Sequence, residues 1–503
     1  MHFGLETELA LSGLLPGGGA VPMEMLLGIF ESAAREHLVH VDDGSRRLGM
    51  FMGSGGLIYR DPMMHTEFCT PECDHPDEIV RQLSHAERLL ARVADLGEDS
   101  ELVREISVSN INYCYASGQS FGSHENFSPA RVESEAIIPF LATRFIVTGS
   151  GGFVVGSNEI VFSISPRIHF ITMDVSEGTQ GGHRGLFHLK NGGVSSDPRL
   201  HLITGEGGRS ELTTWLKFAM TALVVEVLNR RPRVPPEALL RKPVAASQVF
   251  AMDPDCQVRA LTADRGEHTA VEIQHAYLNL VEEHLDDLPD WAPLACQRWG
   301  ELLRVLESPE GWRRLDTRLD WAIKRGLVFE RHIERAGWPC ERVSGFNKLV
   351  GRLDQELAKG RKPVPPLGSF QLECPNPKLR RALRAARIDR DELLEFVKLR
   401  EELCELDLRY HQLGAHSLFR VLEEEGCLSH RVLEPPVGDG DALDPPAPPR
   451  GRAALRGSLV RRFGERGLER SSHVASWSHF EDLKGRRVID MSDASSEEEA
   501  WER

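Results

Sequence analysis

Residues 56–73 read GLIYRDPMMHTEFCTPEC, and the fold turns on whether this stretch contains a ligand-bearing strand. If LIYRD is extended, Tyr59 and Asp61 share a face, because side chains alternate along a strand, and His65 and Glu67 follow just beyond it. Upstream, GLETELA (4–10) alternates likewise, with Leu5, Thr7 and Leu9 on one side and Glu6 and Glu8 on the other. Two carboxylate-bearing strands suit a hard cation such as Mg²⁺, which takes oxygen ligands and usually keeps substrate phosphates in its shell. On spacing alone, exposed strands with ordinary surface acids are the commoner reading.

The chain has 503 residues, enough for one large domain and a smaller one. A net charge of −16 leaves no extended face to neutralise phosphates, which argues against nucleic-acid binding. No basic-then-apolar leader and no membrane-length apolar run is present, and nine scattered cysteines do not read as a disulfide framework. The expectation is a soluble cytoplasmic protein without a membrane partner.

The first 230 residues read as mixed α and β: a helix over 75–96, strand-like NEIVFSIS, RIHFITMDV and DPRLHLITGE, and an apolar helix capped by Ser210 from Glu211 to about Asn229. From about 265 to 430 the pattern is helical. Proline and glycine mark a linker at 434–451, a small C-terminal domain follows at 452–490, and residues 491–503 form an acidic tail expected to be disordered. The large domain is then 1–433.

Other motifs are weaker. Cys69, Cys73 and His75 lack a clear fourth zinc ligand. SFGSHENF (120–127) reads as a compact polar knot after a turn, either a capped turn or part of a site. GSGG (149–152) lacks the Lys-Ser/Thr of a P-loop, and no G-x-S-x-G elbow appears. Trp477 reads most simply as a packing residue.

Together these pieces resemble the Pup ligase and depupylase family, which attaches or removes a small ubiquitin-like protein modifier. The collinear matches are GLETELA, LIYRD, HTEFCTPEC, FGSHENF, IPFLATR, ISPR, PRLHLITGE, ELTTWLK, LDWAIKR, LDLRYH, SLFRVLEEEG, LRGSLVRRF and ASWSHF. The resemblance implies an α+β, glutamine-synthetase-like fold, with a curved antiparallel β-sheet cradle against helices and a small C-terminal domain. It implies that Glu6, Tyr59 and Glu67 hold Mg²⁺, that Thr70 and Trp477 contact ATP, and that Asp61 is the catalytic carboxylate. Glu8 joins the metal set by its place beside Glu6. Arg167 and Arg199, with His201, are candidates for a phosphate clamp.

The implied reaction is ATP-dependent ligation of the modifier's C-terminal glutamate side chain to a lysine amine on target proteins. The 55 positions between Glu6 and Asp61 leave little room for the removing branch's long loop, which favours ligation. An amide-hydrolysing relative and a non-catalytic ATP- or modifier-binding paralogue remain alternatives. Three departures bear on this choice. Leu57 replaces the family arginine, which Arg60 on the other strand face does not make good; KNGGVSSDP (190–198) stands where the family has a different segment; and Gly205-Glu206-Gly207-Gly208 replaces the family's loop pattern.

Overall fold

Alternation along the first strand organises the molecule. The computed structural model describes residues 1–44, 49–176, 183–190, 198–358, 366–434, 443–469, 471–483 and 487–492. Much of the 190–198 segment, part of the linker and the tail beyond 492 lie outside them. Twelve strands form the main curled sheet: β1 (His2–Leu14), β2 (His40–Asp43), β3 (Met50–Met52), β4 (Leu57–Arg60), β5 (Thr66–Cys69), β6 (Glu105–Ser109), β7 (Ser123–Ser128), β8 (Leu189–Lys190), β9 (Arg199–Leu202), β10 (His473–Ala475), β11 (His479–Asp482) and β12 (Arg487–Asp490). Their order is β8-β9-β7-β1-β5-β4-β3-β2-β10-β11-β12, and β6 pairs with the distal half of β1. Pairing is antiparallel except between β2 and β10.

Phe3, Leu5, Leu9 and Leu11 of β1 are buried against helices on one face. Those helices form where the sequence caps them. His75 Nδ1 accepts the Asp77 N–H and Pro76 opens Pro76–Glu98, while Ser210 accepts the Thr213 N–H at the start of Glu211–Leu228. The latter helix is apolar all round because it lies between the sheet and an outer helix layer, Ala270–Glu282 and Ala292–Leu306.

Two expectations change. RIHF is not a strand but a 3₁₀ turn, Pro166–Phe170. Pro166 lacks an amide for a ladder, and the turn buries the Arg167 side chain. SHENFS is a strand rather than a knot, with Ser123, Glu125 and Phe127 facing the core.

Two motif runs meet inside a helical region. Lys324 Nζ is 2.5 Å from Asp407 Oδ1 and 2.9 Å from His411 Nε2, and the Tyr410 hydroxyl donates to Asp320 Oδ1 at 2.8 Å. Asp320 also accepts the Arg209 and Ser210 amides, fixing the 205–210 loop.

The segment expected as a small C-terminal domain extends the main sheet. Helix Gly451–Phe463 covers β2 and β3, and β10 adds to β2. Arg456 secures it: Nε donates to Gly55 O at 2.9 Å, and the guanidinium pairs with Glu72, to which Arg452 also bonds at 2.8 Å.

Candidate active site

Strand register builds the site. Glu8 lies opposite Glu67, and Tyr59 opposite Glu67. Tyr59, Glu67 and Glu8 therefore stand abreast on three adjacent strands, roughly 5 Å apart. Glu6 is one repeat along β1, between Cys69 and His124. This face points away from the sheet's main helical layer, as the alternation predicts.

A second group gathers around Glu6. Its Oε1 accepts from Asn126 Nδ2 at 3.2 Å and from Arg199 Nη1 at 3.5 Å, while His124 Nδ1 lies 3.8 Å from Oε2. Burial alone would raise the Glu6 carboxyl, but the neighbouring His124 and Arg199 outweigh it and hold it well below the usual range. Asn126 Oδ1 accepts from Arg199 at 2.5 Å and lies 2.8 Å from His201 Nδ1. That oxygen only accepts, so His201 carries its proton on Nδ1 and keeps a lone pair on Nε2. Burial pushes the His201 pKa down to about 2, so the ring is neutral.

Glu6, His124 and His201 offer donor atoms within 4.8 Å of one another, a set suited to a divalent cation. Gly122 leaves room for this arrangement, since a Cβ there would stand 2.1 Å from His124 Nε2.

Asp61 stands at the other end of the row. Its Oδ1 accepts the His65 amide at 2.6 Å and its own amide donates to His65 O at 2.9 Å, closing the turn between β4 and β5. His65 Nδ1 is 3.5 Å from Asp61 Oδ2 and 3.7 Å from Glu8 Oε2. Asp61 first, and then Glu8, raise the His65 pKa against the opposing effect of burial. Glu8 Oε2 also accepts the Gly122 amide at 2.7 Å.

The remaining expected residues sit differently. Thr70 is buried and its hydroxyl accepts the Leu5 amide at 3.0 Å, stitching β5 to β1. Arg167 is buried too; its guanidinium donates to Phe121 O at 2.5 Å and Ile203 O at 2.8 Å. Glu206 accepts the Arg167 and Ser150 amides, each at 2.8 Å, so the altered 205–208 loop braces the turn carrying Arg167. Trp477 is half-buried, edge-on to Phe51 at 5.2 Å and 4.6 Å from the Arg456 guanidinium. Leu57 is fully buried, and Arg60 turns to Glu31 at 3.1 Å, as strand parity requires.

His65, His124, Asn126 and Glu206 had no assigned role from the sequence. HENF would have yielded two of them had 123–128 been taken as a strand, since parity then puts His124 and Asn126 beside Glu6.

A curled, largely antiparallel sheet backed by helices, with carboxylates, neutral imidazole and arginine on its polar face, defines an α+β sheet-cradle fold as a class. Residues 22–346 match the family model described as Pup-ligase protein, and the chain belongs to that family. It is 28% identical to the Pup–protein ligase of Brachybacterium faecium, covering 94% of this chain and 89% of that protein. It is 26% identical to Pup–protein ligase 1 of Rhodococcus erythropolis, covering 99% and 98%. Among solved structures, it resembles PafA in complex with the prokaryotic ubiquitin-like protein Pup, with a TM-score of 0.73 at 20% identity over 99% of this chain and 90% of that one. It also resembles PafA bound to ADP, with a TM-score of 0.66 at 20% identity over 90% and 88%. At that identity the structural likeness establishes a shared fold.

Proposed function

We propose that the protein is an ATP-dependent ligase that joins the C-terminal glutamate side chain of a small Pup-like modifier to a lysine amine of a target protein. One observation carries the reading: in a chain of this family, Tyr59, Glu67, Glu8 and Glu6 share one polar face with Asp61 at its end. Along that face Glu6 groups with His124 and His201, and Glu8 with Asp61 and His65, donor sets that would suit a divalent cation such as Mg²⁺. When bound, Mg²⁺ neutralises phosphate charge and aligns a nucleotide's terminal phosphate for transfer.

A carboxylate does not condense with an amine in neutral water until its oxygen becomes a leaving group. Phosphorylation by ATP supplies one, and the lysine amine then displaces phosphate to form the isopeptide bond. The chain's residues have separate tasks. Glu6, Glu8, Tyr59 and Glu67 would hold the metal, and Arg199, partly exposed beside Glu6, would attract the transferring phosphate. Asp61 would take a proton from the incoming ammonium, which is not nucleophilic until deprotonated. Arg167 would act by bracing the loop beneath Glu8, because both its Nη groups already donate to backbone carbonyls.

The curated relatives are named as Pup–protein ligases, and a neighbouring fold holds ADP, which supports nucleotide use here. Cytoplasmic operation is part of the same proposal. It fits nine cysteines that are all free, and no described helix is long and apolar enough to cross a membrane.

The test is incubation with Mg-ATP, a Pup-like protein ending in glutamate and a lysine-bearing acceptor, read by the mass of the conjugate and by ADP release. Nucleotide-dependent conjugate supports ligation. Binding of modifier without any conjugate would favour the paralogue reading, which Leu57 and the altered 205–208 loop recommend.

A further inference from the structure

The chain is strongly acidic overall, yet residues 377–390 carry Lys378, Arg380, Arg381, Arg384, Arg387 and Arg390 against the single acid Asp389. They lie on helix Pro377–Ala386 and the turn after it, and all six cations are exposed. Leu379, Ala382, Leu383 and Ala386 bury the opposite stripe, so the positive face is held outward by packing. Arg390 pairs with Asp391; Lys378, Arg380, Arg381, Arg384 and Arg387 make no ion pair among the described residues. Concentrating five uncompensated cations costs self-repulsion that an anionic partner would relieve.

The surface beside them is a shallow groove lined by Cys374, Pro375, Leu383 and Ile388, with Arg380 and Arg384 on its rim and Glu373 as its acid. One turn before Glu373 stands Phe370, 71% exposed, the most exposed large apolar side chain among the described residues.

We propose that this groove and arginine face form a docking surface for a short acidic polypeptide segment with an apolar anchor. The charge calls for carboxylates, and the groove floor of Pro375, Leu383 and Ile388 calls for an apolar side chain to cover it, with exposed Phe370 on the short helix just before it. The patch is about 15 Å long, the length of a ten-residue helix. A duplex nucleic acid or a membrane would extend well beyond it, over a surface of the same sign as the polyanion. A segment of a few residues stays within the patch, where the Debye length of about 8 Å isolates it from the remaining negative charge. The inference stands on binding alone and does not depend on the ligase reading.

The experiment uses the full chain and a fluorescein-labelled peptide of mixed Glu and Asp with one central Phe. Anisotropy is measured for the wild type and for Arg380→Glu/Arg381→Glu/Arg384→Glu/Arg387→Glu, at low and moderate salt. The expected result is saturable binding that weakens with salt, falls at least tenfold in the reversal variant, and falls severalfold in Phe370→Ala. Mg-ATP affinity should be unchanged in both variants. Equal peptide affinity in the reversal variant would overturn the proposal. So would tighter binding of an oligonucleotide of equal charge or of phosphatidylserine vesicles. Peptide binding seen only after removal of residues 493–503 would overturn it too, in favour of the chain's own acidic tail as occupant.

Discussion

Asp61 and Glu6 make different predictions because their neighbours differ. Asp61 is tied to the turn through one oxygen, and the other faces His65. Asp61→Asn keeps the Oδ1 contact and removes the base, so conjugation should fall by at least about a hundredfold while Mg-ATP binding stays near wild type. Steady-state rates and calorimetric titration check both halves, and an active Asn variant would remove Asp61 from the chemistry. Glu6 is instead the hub that Asn126, Arg199 and His124 address. Glu6→Ala leaves Arg199 without its carboxylate and should abolish saturable Mg-ATP binding, as read by the same titration. Trp477 contacts protein on one side through Phe51 and Arg456 and is only half-buried. Trp477→Ala should weaken Mg-ATP binding; unchanged affinity would leave it a packing residue.

At the scale of elements, buried charge decides which contacts are structural. The Lys324–Asp407–His411 group joins LDWAIKR to LDLRYH at near-zero exposure. Lys324→Met strands a buried carboxylate and should cost about 3–5 kcal/mol, seen as a lower urea midpoint.

Sequence legibility follows the range of the interactions. GLETELA is legible because alternation is local and both faces have a clear destination. Helix Glu211–Leu228 is legible through its serine cap. SPRIHF misleads, because Ile and Phe mimic a strand while Pro166 and the burial of Arg167 require a turn. SHENFS hides its strand behind a glycine turn, and with it the partners of Glu6. The pairing of β10 with β2 has no local signature, since its partners are more than 400 positions apart. The row of carboxylates on one strand face was therefore readable, and the hydrogen-bond partners around Glu6 were not.

For the whole molecule, buried neutral histidines set the acid response. Burial lowers the pKa of both His411 and His40 below the ordinary 6.5. The unfolded chain then binds more protons than the native one below pH 6.5, so stability is fully present above that pH and is lost as pH falls. His411, held well below 6.5, stays neutral and costs about 1.4 kcal/mol at pH 5.5, and His40 adds in the same direction. Urea midpoints at pH 7.5 and 5.5 should show this loss, and His411→Gln should reduce the difference even if it lowers both midpoints.

The edge pairing of β10 on β2 has a consequence for the protein's birth. Strands β1 to β5 are all translated by Cys69, but Arg456, Trp477 and the strand that lies beside β2 follow more than 380 positions later. A nascent chain carries its carboxylate floor throughout most of synthesis with one wall absent. A chain ended before residue 451 is therefore expected to lose saturable Mg-ATP binding in calorimetric titration, and retained binding would leave the β2 edge a purely structural seam.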